Sequence, residues 1–168
     1  MIKHICLFCG SSPGSKPEYV QAARHLGALL AKNDIALVYG AGSTGLMGEA
    51  ANAVLDVGGK VIGITPQMFM NRGLIHEKLS EIHVVASMHE RKELMHRLAD
   101  AYIVLPGGYG TMDELFETVA WAQLGLHRKP CGILNICGYF DKLTDFLDEM
   151  EANQFIRPVH RAMLIIER

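Results

Sequence analysis

Residues 105–117 read LPGGYGTMDELFE. The apolar run 101–105 leads into them as a strand would. Pro106, Gly107, Gly108 and Gly110 make a turn, and an amphipathic helical run follows. Glycines let backbone N–H groups crowd around a ligand where a side chain would block approach. A helix start adds N–H donors without acceptors and a partial positive charge. Strand, glycine turn and helix start together make a cradle for an anion, most naturally a phosphate.

The same alternation runs through the chain. Apolar strands are expected at 2–9, 35–39, 60–65, 81–86, 101–105 and 130–135, with a short last one at 162–166. Helices are expected between them, the first opened by a capping box of Ser15 and Glu18 and another by Ser87 and Glu90. The last helix spans 139–152. Residues 67–78 show no period and read as a long connection near the site. Alternating strands and helices predict an α/β fold, a doubly wound parallel sheet of about six or seven strands with helices on both faces. Ligands of such sheets bind beyond the carboxyl ends of the strands, where the strand order reverses. Glycine or serine turns follow strands one, two and five, and the helix bearing Arg91 also starts at such an end.

The chain has 168 residues, about half of them apolar, and a net charge of −2. That length suits a single domain, 1–168. The charge balance gives no sign of a nucleic-acid partner, and no apolar stretch approaches a membrane span. No leader-like segment precedes the first strand, so the cytoplasm is the expected compartment. Cys6, Cys9, Cys131 and Cys137 read as small buried residues in a reducing environment.

Several motifs bear on chemistry. Gly40, Gly42 and Gly45 match GxGxxG, but the next strand ends at Thr65-Pro66 without the acidic residue that would hold a ribose. Close chain approach, to a nucleotide phosphate for instance, fits better than a dinucleotide. His89 and His96 lack a third ligand for a metal, and read as surface or packing residues. Arg91 and Lys92 sit early in their helix, unfavourably placed for its dipole, which points to an anionic partner or else to a solvated face. Arg91 also interrupts the apolar stripe of Met88 and Met95. On spacing alone, Thr111 and Glu114 form a capping box; a carboxylate at the pocket is the other reading.

PGGYGTMDE at 106–114 and MHERK at 88–92, together with CGSSPG, YGAGSTGLMG and WAQLGLHRKP elsewhere, resemble the motifs of the LONELY GUY family, phosphoribohydrolases often labelled lysine decarboxylases. The resemblance covers nearly the whole chain. It implies a Rossmann-like fold and a homodimer. The implied reaction cleaves the N-glycosidic bond of a cytokinin riboside 5′-monophosphate, to free base and ribose 5-phosphate, without metal or other cofactor. By motif position Arg91 and Glu114 are the catalytic pair. Candidate substrate-binding residues are Gly10 and Ser11 after the first strand, Gly40 and Gly42 after the second, and Met88 and Lys92 on the MHERK helix. Gly107, Gly108, Tyr109, Gly110, Thr111, Met112 and Asp113 complete the set. The chain departs from the family pattern at Ala41, where YGGG is usual, and at Ala120, where many members have threonine. No pyridoxal phosphate site is visible for a decarboxylase. A nucleotide-binding carrier or sensor on the same fold is the alternative, because fold does not fix function.

Overall fold

The computed structural model describes residues 1–168, the side chain of Asn71 excepted. Among the described residues, seven parallel strands form one sheet: β1 (His4–Phe8), β2 (Ala36–Tyr39), β3 (Val61–Pro66), β4 (Glu81–Val85), β5 (Ala101–Val104), β6 (Cys131–Leu134) and β7 (Leu164–Glu167). Their order is β4-β3-β2-β1-β5-β6-β7. The chain therefore winds outward from β1 in one direction, then returns to its other side at β5. That reversal puts the ends of β1 and β5 side by side, with Phe8 opposite Val104.

The helices are α1 (Pro17–Lys32), α2 (Gly45–Leu55), α3 (Met88–Leu98), α4 (Tyr109–Gln123), α5 (Asp141–Ala152) and a short α6 (Pro158–Arg161), which the sequence pattern did not announce. Strand residues alternate between two cores, as the period of two requires. Ile5, Leu7, Leu37 and Tyr39 pack under α1 and α2. Cys6, Phe8, Val38, Ile62 and Ile64 pack with Met95 of α3, Leu115 of α4 and Leu147 of α5. No helix among the described residues is long and apolar enough to cross a membrane.

Helix starts depart from the expectations. α1 has Lys16 at its N-cap with no side-chain bond, so the Ser15–Glu18 box does not form; Pro17, with its fixed φ, sets the start instead. At α3 the box is real. The Ser87 hydroxyl accepts from the Glu90 N–H at 3.1 Å, while the Glu90 carboxylate reaches one residue further back, to the N–H of Ala86. α4 starts three residues earlier than the Thr111 pattern implied, with Gly108 at its N-cap. α5 starts at Asp141 rather than 139, after a 3-10 turn at Ile136–Gly138. The connection after β3 opens with a 3-10 turn and then runs back along the loop after β2. There the N–H of Ser43 meets the carbonyl of Leu74, and the N–H of His76 meets the carbonyl of Ala41, each at 2.9 Å. Cys6, Cys9 and Cys131 are buried as expected, whereas Cys137 is exposed on the turn after β6.

Candidate active site

The earlier start of α4 changes what Thr111 and Glu114 are. Both lie inside the helix, three residues apart on one face, and both are buried. Glu114 therefore caps nothing. It points toward α3, where Arg91 rises from the second turn, and Arg91 Nη1 stands 3.4 Å from Glu114 Oε1. The two side chains are 10% and 8% exposed. Arg91 is thus no part of a solvated face. Its Nε donates to the Ile64 carbonyl at 3.2 Å, near the carboxyl end of β3. Gly40, just past β2, makes room for it: a methyl group there would overlap the guanidinium.

Burial pushes the Glu114 carboxyl up to about 7; Arg91 and Lys92 pull it down, while the Asp113 and Glu117 carboxylates add to the rise. A carboxyl with a pKa near neutrality, held beside a fixed guanidinium, suits proton transfer at physiological pH.

Lys92 turns to the outer side of the same seam. Its Nζ lies 3.0 Å from both Asp113 Oδ2 and Glu117 Oε1. Burial works against its charge, but the hydrogen bonds it donates to the two carboxylates more than offset that and raise its pKa. Lys92 and Asp113 thus tie α3 to α4. Behind them His96 is buried against Tyr102 and Trp121, its Nδ1 2.8 Å from the Tyr102 hydroxyl. Desolvation, with His127, Lys129 and Lys92, lowers its pKa to about 4, so it is neutral at pH 7. His89, on the same helix, is exposed.

The glycine loop lies across the reversal of strand order. The N–H of Gly10 donates to the Pro106 carbonyl at 2.9 Å, which joins the loops after β1 and β5. Gly107 fits tightly against the Thr111 hydroxyl and Gly10. A methyl on Gly108 or Gly110 would meet nothing within 4 Å, and Gly108 has φ −99, open to any residue. Neither glycine is demanded by the protein's own packing. Tyr109 is 97% exposed beside them. A crevice of about 310 Å³ runs along this loop, lined by Gly10, Ser11, Pro106, Gly107 and Gly108 together with Tyr19, Leu46 and Tyr139. Tyr19 and Tyr139 lie outside every motif, and Leu46, although inside YGAGSTGLMG, reads from sequence only as a core residue of the helix that follows.

Other candidates do different work. Met112 packs into the core below α4. Met88 is exposed at the start of α3. Gly42 serves its own turn, its carbonyl accepting from the Tyr39 hydroxyl at 3.1 Å. Ala41 takes φ +62 with its side chain fully buried, a conformation glycine adopts more easily.

A family model described as possible lysine decarboxylase matches residues 47–168. A cytokinin riboside 5′-monophosphate phosphoribohydrolase of Arabidopsis thaliana is 50% identical, over 97% of this chain and 75% of its own length. A probable enzyme of the same name from Oryza sativa subsp. japonica is 49% identical, over 97% of this chain and 72% of its own. The chain belongs to the LONELY GUY family. Among solved structures, the molybdenum cofactor carrier protein of Chlamydomonas reinhardtii aligns with a TM-score of 0.73 over 100% of this chain and 91% of its own, at 19% identity. The molybdenum cofactor binding protein of Rippkaea orientalis gives 0.72 over 100% and 90%, at 20% identity. These two share the Rossmann-like fold with the family member described here, and at that identity the fold alone.

Proposed function

We propose that this chain hydrolyses the N-glycosidic bond of a cytokinin riboside 5′-monophosphate, an AMP modified at N6, releasing the free base and ribose 5-phosphate. The observation that carries the proposal is the buried Arg91–Glu114 pair, its carboxylate on the helix that the glycine cradle opens, in a chain half identical to enzymes of that name. Glycosidic cleavage passes through an oxocarbenium-like state. The Glu114 carboxylate is suited to stabilise that cation and to take a proton from the attacking water. Water adds at the anomeric carbon, the glycosidic bond breaks, and its electron pair leaves with the base, which takes up a proton. Arg91, anchored on the Ile64 carbonyl, fixes the carboxylate. The N–H groups that open α4, together with the loop at Gly10 and Ser11, take the 5′-phosphate. These steps call on no metal or redox cofactor. A carrier without turnover would leave a buried carboxyl with a raised pKa unused.

The working unit we propose is a homodimer. Phe116 on α4 is 40% exposed, and Leu124 and Leu126 just beyond it are 72% and 67% exposed, an apolar surface of the kind a second copy would cover. The mass in solution by light scattering tests that part. The activity is tested by chromatography of base released from N6-isopentenyl-AMP, AMP and their nucleosides. Release from the monophosphates, well above that from the nucleosides, is the expected result. Equal rates on a nucleoside and its monophosphate would overturn the phosphate cradle.

A further inference from the structure

Tyr139 belongs to none of the motifs, yet the molecule is built to hold it over the cradle. It follows the 3-10 turn after β6, in which Cys137 has φ +53 and Gly138 has φ +71. A cysteine in the left-handed region is strained and persists only where its surroundings over-determine it. Here they do. The side-chain carbonyl of buried Asn135 accepts from the Phe140 N–H at 2.7 Å, its amide donates to Asp141 at 2.6 Å, and its own backbone N–H donates to the Glu167 carbonyl at 2.7 Å. The Phe140 ring meets Tyr139 edge-on with centroids 4.9 Å apart, and Tyr19 meets it edge-on at 5.9 Å. From this seat the Tyr139 hydroxyl donates to the carbonyl of Gly107 at 2.5 Å.

The peptide unit it grips has glycine on both sides, so side chains do little to stop it turning over. The unit is trans and planar, so the Gly107 carbonyl and the Gly108 N–H point in opposite directions. Gly108 is the N-cap of α4. We propose that Tyr139 is a positioning residue for the 5′-phosphate. By holding the Gly107 carbonyl on the crevice wall it keeps the Gly108 N–H, and not a carbonyl oxygen, turned toward the anion. This rests on the hydrolase reading above.

Tyr139→Phe keeps the ring and its edge-on contacts and removes only the donor. Calorimetric titration with ribose 5-phosphate and, separately, with adenine tests the assignment, alongside KM and kcat on N6-isopentenyl-AMP. The dissociation constant for ribose 5-phosphate and KM should rise by about tenfold, equivalent to roughly 1.4 kcal/mol. Adenine affinity, kcat and the thermal midpoint should stay close to those of the unmodified protein. Unchanged affinity for ribose 5-phosphate in the variant would overturn the assignment, as would an equal loss for adenine or a lowered midpoint, which mark a merely structural contact. Failure of the unmodified protein to bind ribose 5-phosphate would remove the hydrolase reading itself, and this inference with it.

Discussion

On one face of the sheet α1 and α2 pack almost backbone to backbone. A methyl on Gly27 would run into the Ala50 carbonyl and the Ala53 side chain. The layer between them and the strands is built of Tyr19, Ala23, Leu26, Leu46, Ala50 and Val54. Charge is kept to the outer surface, where Arg24 meets Glu49 with side chains 63% and 30% exposed, a pairing of little energetic weight. On the opposite face α3 and α4 meet through Arg91, Glu114 and Lys92, and bury His96 behind them. Burying ions stabilises less than burying the same volume of hydrocarbon. One face is therefore shaped for stability, and the other gives some up to keep a carboxylate and a guanidinium dry. If that division is real, substitutions on the two faces separate activity from stability.

The largest separation is expected at Glu114. Glu114→Gln removes the charge but keeps shape and a hydrogen-bonding group. Base release should fall about a thousandfold or more, roughly 4 kcal/mol of barrier, while the thermal midpoint holds or rises. A folded variant with near-normal turnover would end the catalytic assignment. The opposite outcome belongs to Gly27→Val, where overpacking should cost about 3 kcal/mol. The urea midpoint should drop with the slope unchanged, while kcat per folded molecule stays put. Lost turnover in the folded variant would show that the two faces are coupled.

A smaller effect follows from proton binding. The folded state raises the Glu114 carboxyl from 4.5 to about 7, so it holds that proton more tightly than the unfolded chain does. The contribution of Glu114 to stability is thus highest below about pH 4.5, falls as pH climbs through about 7, and is level above that. Activity should move the other way, with kcat/KM rising along a limb centred near 7 as the carboxylate forms. Comparison with Glu114→Gln isolates the residue from the ionisation of the substrate phosphate; the same limb in the variant would assign it elsewhere. The smallest effect is expected at Ala41. Ala41→Gly relieves about 1–2 kcal/mol of left-handed strain and loses about 0.8 kcal/mol of buried methyl, a net gain of about 0.2–1.2 kcal/mol in chemical denaturation. A net loss would mean that packing against Gly63 outweighs the strain.

Much of this was legible in the chain. Apolar strands broken by glycine turns gave the parallel sheet, and the reversal between β1 and β5 falls where the glycine loops are. Of the capping boxes that spacing allows, the one at Ser87 forms and those at Ser15 and Thr111 do not, for a physical reason. A spacing of three residues describes a capping box and also one face of a helix, and only the surroundings decide between them. At Ser87 the chain enters from an exposed strand end and the box forms. At Thr111 the glycines before it let the helix begin early, so the same spacing became a buried face. Tyr19 and Tyr139 reach the crevice through topology alone, and no local pattern announces them.

The placing of β1 between β2 and β5 also bears on how the molecule comes into being. Ile5 sits beside Leu37 on one side and Ala101 on the other. The first pairing closes a short stretch of chain; the second waits until most of the chain has been made, and long closures slow folding. Gly10 and Pro106 meet only when that second pairing is in place. In a refolding experiment the helices should therefore return first, and the capacity to release base should return last.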